Sequence, residues 1–129
     1  YMPCAISEDR REAVNTAKRA IGEMLPGFWS LGQKLGSAKQ GLITGTGITE
    51  AEFASAASRL QAGEDAADVI DERYVAAFSL AGTPDDCFTA ARQCRAAGVT
   101  ELALTFGGRA AAEDILRLGN VLAAGRRTP

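Results

Sequence analysis

Apolar residues in this chain fall into short continuous runs and longer periodic stretches, and the two alternate. Residues 1–7 form a short apolar run, a plausible strand, with Pro3 near its beginning, where a missing donor is tolerated. From Asp9 the period changes. Val14, Ala17, Ile21, Met24 and Leu25 recur at helical spacing, while Arg10, Arg11, Lys18 and Arg19 keep to the polar faces. Asp9 followed by Glu12 predicts a capping box at the start of this helix, and Pro26 with Gly27 predicts its end.

Residues 28–35 hold the only tryptophan, Trp29, which reads as a core or interface residue rather than a ligand platform. Residues 36–47 loosen into a glycine-rich stretch that predicts a flexible connection. Gly45, Thr46 and Gly47 resemble part of a nucleotide loop. However, Glu50 stands where the fingerprint needs glycine, and no convincing strand precedes it. Thr49 and Glu52 predict a second capping box, followed by the apolar stripe Phe53, Ala56, Ala57 and Leu60, with Gly63 closing the helix. A short acidic helix follows, with Val69 and Ile70 inward. Its carboxylates, Glu64, Asp65, Asp68, Asp71 and Glu72, match no calcium-loop spacing and read as a solvated face.

The alternation then resumes. Residues 74–81 form an apolar run read as a strand. Thr83 caps a new helix, Pro84 takes its first position, and Asp85 and Asp86 favour the positive end of its dipole. Cys87, Ala90, Ala91, Cys94 and Ala97 make its inner face, and Gly98 fits the left-handed residue that closes a helix. Residues 99–106 read as a strand buried on both sides through Leu102, Ala103, Leu104 and Phe106. A last helix over residues 110–124 turns Ile115, Leu116, Gly119, Leu122 and Ala123 toward the sheet. Strand–helix–strand order of this size predicts an α/β fold with a parallel sheet. The units are a strand plus helix (1–27), a helical insertion with its Gly-rich connection (28–73) and two β/α units (74–129).

Composition changes this picture only at its edges. With 129 residues, 47% of them hydrophobic, one domain with a real core is expected. A net charge of −2 argues against nucleic acid or an anionic membrane as partner, and no apolar run approaches a membrane span. Histidine is absent, so acid–base chemistry here falls to carboxylate, lysine, cysteine or tyrosine. Cys87 and Cys94 lie roughly 10 Å apart along one helix, too far for a disulfide. All three cysteines read as reduced, small apolar residues, and the chain as cytoplasmic. A chain that opens at Tyr1, already inside an apolar run, reads as the interior of a longer protein.

Parallel sheets bind ligands at the carboxyl ends of their strands. Two such ends are legible, the first at Gly82 and Thr83, where helix capping explains the residues in full. The second is Gly107, Gly108 and Arg109, where two glycines let the backbone approach and an arginine follows, chemistry suited to a phosphate. The competing reading is a tight turn with a surface arginine. No nucleophile–base pair, carboxylate dyad or metal cluster is visible.

The order of these motifs, with residues 1–20 followed by AGTPDDC, AAGVTEL and a strand running into glycines (residues 81–108), resembles the C-terminal part of the bacterial-luciferase-like flavin oxidoreductases. The deazaflavin-dependent branch, which includes methylenetetrahydromethanopterin reductase, is the most similar. The resemblance implies the C-terminal portion of a (β/α)8 TIM barrel, about three parallel strands with covering helices, too few to close a barrel. It implies a parent oxidoreductase that moves hydride to or from FMN or coenzyme F-420, with Gly107, Gly108 and Arg109 on the cofactor side. Most of such a pocket would come from strands not present here, so the chain alone is expected to lack activity and tight flavin binding. Open strand edges would favour self-association, or helices re-packed over the sheet. The alternative is a stand-alone, non-catalytic binding or assembly module.

Overall fold

The computed structural model describes residues 2–107 and 110–125. Three parallel strands, β1 (Met2–Ile6), β2 (Leu80–Gly82) and β3 (Leu104–Phe106), form one sheet in the order β2-β1-β3. The first-entered strand is therefore the central one. Cys4 pairs with Leu80 and Ile6 with Gly82 on one side, while Met2 pairs with Leu104 and Cys4 with Phe106 on the other. The odd-numbered residues of β1 turn their backbone groups toward β2, as the bond from the Ser7 amide to the Gly82 carbonyl shows. Pro3 faces β2 before its first paired residue, so its missing N–H breaks no ladder bond.

Helices cover both faces. From β1 the chain runs through α1 (Arg10–Lys34), α2 (Gly36–Ile43), α3 (Glu50–Gln61), α4 (Ala66–Val69) and α5 (Glu72–Phe78) before β2. These elements build the larger core on the Ala5 face, with Val14, Ala17, Ile21, Leu25 and Trp29 of α1 at its centre. The chain then crosses back past β1 through α6 (Pro84–Ala96) to β3, and continues into α7 (Ala111–Gly125). α6 and α7 lie on the opposite face, where Cys4, Ile6, Leu80, Cys87 and Leu118 pack together. Right-handed crossovers that move in opposite directions along a sheet place their helices on opposite faces, so the strand order dictates the layering.

Several expectations are met. β1 forms as read, Trp29 is buried and stacks on Phe53 at 5.6 Å between ring centroids, and the Thr49 and Glu52 capping box is intact. Thr83 caps α6 in a reciprocal pair with Asp86, Pro84 opens the helix, and Gly98 closes it at φ +92°.

Others are corrected. Pro26 does not end the first helix; α1 continues to Lys34, because Trp29 and Gly32 extend the buried stripe beyond it. Burying a tryptophan there contributes about as much as an internal proline costs, roughly 3 kcal/mol. Asp9 caps α1 through the amides of Arg11 and Glu12, but Glu12 turns away to accept from the Ser7 hydroxyl at 2.7 Å. Residues 36–43 are the helix α2 rather than a flexible connection. The turn after it is pinned by Thr46 Oγ1, which donates to the Ile43 carbonyl and accepts from the Ile48 amide. Residues 74–78 are helical, not extended. Asp71 caps α5 through the Arg73 amide, and Tyr74 and Val75 bury into the α1 core, leaving only Leu80–Gly82 to pair. β3 is a short edge strand with Thr105 exposed, so it is not buried on both sides. In α6, Cys87 is fully buried but Ala97 is exposed. α7 is rotated from the expected face: Asp114 and Leu118 are buried, whereas Ile115 is 53% and Leu116 68% exposed.

Candidate functional site at the carboxyl ends of the strands

Central placement of β1 makes two junctions in this sheet. The loop after β1 leads to one face, and the loops after β2 and β3 lead to the other. A crevice can open wherever neighbouring strands diverge in this way. The β1–β2 junction is closed. The Ser7 amide donates to the Gly82 carbonyl at 3.1 Å, and Arg10 reaches over it to Asp86 at 3.6 Å and to Glu72 at 3.3 Å.

The β1–β3 junction is open. A cavity of about 650 Å³ lies there, floored by Pro3, Ala5 and Thr105 and walled by α1 on one side and the start of α7 on the other. That volume lies within the range of small-molecule sites, roughly 300–1,000 Å³. Gly107 lines its rim. Gly107 has no left-handed backbone angle, and a Cβ placed on it would meet nothing within 4 Å. Its bareness leaves room beside the strand end and is not demanded by the turn. Gly108 and Arg109 lie outside the described residues.

Two side chains of α7 give this mouth its chemistry. β1 runs past the end of β3, so Ile6 turns its amide and carbonyl toward a position with no strand opposite among the described residues. Asp114 and Arg117 take the place of that strand. The buried Asp114 carboxylate accepts from the Ile6 amide, and Arg117 Nη1 donates to the Ile6 carbonyl at 3.4 Å and to Asp114 Oδ1 at 3.4 Å. Burial pushes the Asp114 carboxyl above its ordinary value, outweighing the Ile6 bond and the Arg117 charge that favour ionisation. On the opposite wall, Ser7 donates to Glu12 Oε2 and its oxygen accepts from the Asp9 amide.

Charge decides what such a mouth accepts. Glu12, Glu23, Glu113 and Asp114 line the cavity against Arg19 and Arg117, and Arg117 is engaged by Asp114 and, at 3.7 Å, by Glu113. Carboxylates outnumber cations, which suits a hydrogen-bond donor or a cation better than a phosphate. Among the described residues no group of acidic or sulfur side chains has metal-binding geometry, and every buried side-chain polar atom has a partner. Among them, too, no helix is long and apolar enough to cross a membrane.

No family model matches the chain, and no curated protein matches it. Among solved structures, it is similar to the coenzyme F-420-dependent tetrahydromethanopterin reductase of Methanopyrus kandleri. The TM-score is 0.75 at 21% identity, over 97% of this chain and 34% of that one. At this identity the likeness speaks for the fold. The chain spans about a third of the reductase's length.

Sequence reading reached one rim of this cavity through Gly107. It missed Asp114 and Arg117, which carry an ordinary helix-surface pattern, three residues apart. The only available signal was their place in the turns after a strand end, a position a surface ion pair occupies equally well.

Proposed function

We propose that this chain is part of a flavin- or deazaflavin-dependent oxidoreductase of the luciferase-like kind, supplying closing β/α units of its (β/α)8 barrel. The observation that carries the reading is the TM-score of 0.75, over nearly the whole chain, to an F-420-dependent reductase. The motif order across residues 1–20 and 81–108 agrees with it. In this reading residues 1–27 and 74–129 are the repeating units and residues 28–73 are an insertion between them. Gly107, Gly108 and Arg109 face the cofactor, FMN or F-420. The described residues do not by themselves fit a phosphate-bearing group, because their crevice is mostly carboxylate. No hydride step is therefore assigned to side chains of this chain. When bound, a flavin or deazaflavin supplies the hydride chemistry, and this chain contributes a wall and the backbone at residue 107. It is inactive alone in this reading.

A second reading has an observation of its own. With β1 central and helices on both faces, the sheet is covered without further strands, as a stand-alone binding module requires. In that case the acidic crevice is the binding site, and a second copy of the chain pairing at a strand edge is one route to assembly.

Amide-resolved NMR titration with FMN and with F-420 separates the two. The oxidoreductase reading expects weak binding, above micromolar Kd, with shifts confined to Ser7, Thr105, Gly107 and their neighbours, and reduced by Arg109→Ala. Absence of shifts at these strand ends at millimolar ligand, in a chain that sediments as a compact monomer, refutes it in favour of the module.

A further inference from the structure

The first helix is longer than the sheet it covers. α1 has 25 residues, roughly 37 Å at 1.5 Å per residue, whereas β1 has five, roughly 17 Å. The chain doubles back after β1, so the second half of α1 runs beyond the amino ends of the strands. Near the strands the helix buries Ala17 in one core with Ala5. One heptad further on, the same side carries Met24, Phe28, Leu31 and, at the C-cap, Leu35, and among the described residues no strand lies beneath them. Phe28 is 51%, Leu31 49% and Leu35 53% exposed. α2 folds back on the neighbouring side, over Gly32, and leaves this row clear.

We propose that this row is a docking seam for a second copy of the chain, the two α1 helices packing antiparallel about a two-fold axis. Met24, Phe28, Leu31 and Leu35 follow one another at intervals of four, three and four, the repeat of a coiled-coil seam. The row is separate from the core stripe of the same helix, which runs through Ile21, Leu25, Trp29 and Gly32. An axis midway between Phe28 and Leu31 sets Phe28 against the partner's Leu31 and Met24 against the partner's Leu35, so every seam residue meets an apolar one. The same axis brings opposite charges together. Glu23 and Lys34 are exposed on one flank of the row, and among the described residues neither makes an ion pair within the chain. In the antiparallel pair Glu23 comes level with the partner's Lys34 to within roughly 3 Å along the axis, and symmetry makes that contact twice. Gly27 lies between them, where a Cβ would meet nothing within 4 Å, so the helices approach without obstruction on this flank. The three half-exposed side chains and Met24 offer roughly 300 Å² of apolar surface per copy. A stable homodimer needs about 800 Å² per copy, about 65% of it apolar. The seam therefore holds a weak dimer, with a Kd on the order of tens of micromolar, and well below that concentration the chain is a monomer.

Sedimentation velocity from about 1 to about 300 µM tests this, with circular dichroism as the check that each variant folds. The parent is expected to pass from monomer to dimer across that range. Leu31→Glu, which sets a carboxylate at the centre of the seam, should remain a monomer throughout. Glu23→Lys and Lys34→Glu should each weaken the dimer about tenfold, because each turns two attractive contacts into two repulsive ones. The double variant Glu23→Lys with Lys34→Glu should recover the parent affinity, a recovery that pairing at a strand edge does not produce. These charge variants sit at exposed positions and decide the question even if Leu31→Glu fails to fold. A parent that stays monomeric at 300 µM would overturn the proposal, and if it still bound an apolar dye the row would serve a different partner. A dimer indifferent to the charge reversals would overturn it too, and would place the contact elsewhere, at a strand edge or on α7.

Discussion

Asp114 offers the sharpest perturbation of the open junction. Its carboxylate stands in for a missing strand by accepting from the Ile6 amide, and it holds Arg117 on the Ile6 carbonyl. Asp114→Ala removes the acceptor and leaves a buried donor without a partner. A hydrogen bond to a charged group contributes about 1.5–3 kcal/mol, and an orphaned buried donor costs about 1–3 kcal/mol. The relief of no longer burying a carboxylate opposes both, so a net loss of about 1–3 kcal/mol is expected. Asp114→Asn keeps an acceptor oxygen and removes the charge, so it should lie within about 1 kcal/mol of the parent. Urea denaturation of the three proteins measures these differences.

The pH dependence distinguishes this account from simple packing. Asp114 has a folded pKa above its unfolded value, so the native state binds more protons across that interval. The parent's stability relative to Asp114→Asn should therefore be greatest below the ordinary aspartate range. It should fall as pH rises through the raised folded value, then level off. A parent that instead gains on the Asn chain over this window would show a stabilised carboxylate and refute the assignment. Equal stability of the Ala and Asn chains would show that the Ile6 amide does not need Asp114.

Two further outcomes follow from the larger core. Pro26→Ala should stabilise the chain by about 1–3 kcal/mol in urea, because α1 passes through Pro26 and an internal proline both removes a bond and crowds the preceding turn. A destabilised variant would show that the helix depends on the proline. Second, Arg73 joins Glu52 of α3 at 2.8 Å and Asp71 at 2.8 Å. Arg73 is the leading cause that lowers Glu52 to about 2, and it lowers Asp71 as well. These carboxylates stabilise above their unfolded values, near 4, and that stabilisation is lost as pH falls toward 2. Arg73→Gln should flatten the acid limb of a stability–pH profile; an unchanged limb would count against the pairing.

Local chemistry made much of the architecture readable. Thr49 with Glu52, and Thr83 with Pro84 and Asp86, announced α3 and α6 because a cap satisfies amides within a few residues of itself. Strand ends were less legible. Tyr74 and Val75 have strand propensity, yet they fold as helix because Phe53, Trp29 and Phe78 gather around that turn. No pattern within residues 74–81 contains that information. Of the candidate ligand residues, Gly107 was visible as a strand terminus, whereas Asp114 became special only when β1 was seen to outrun β3.

The misreading of α7 and the character of the open junction share one cause. Consecutive units of a barrel place their strands side by side in chain order, so β3 would lie beyond β2 and another strand would run along the far edge of β1. Here β3 takes that edge itself. It is too short to cover Ile6, and α7 must then supply polar side chains to the end of β1. A helix docked through Asp114, with Leu118 and Leu122 following at intervals of four, turns residues 115 and 116 outward, which is why Ile115 and Leu116 are exposed despite their hydrophobicity. The same substitution of side chains for a strand puts a buried carboxyl and a guanidinium at the mouth of the cavity. The part of its charge that comes from α7 is therefore a consequence of strand order. In an arrangement with a strand opposite Ile6, Asp114 and Arg117 would be released from that edge.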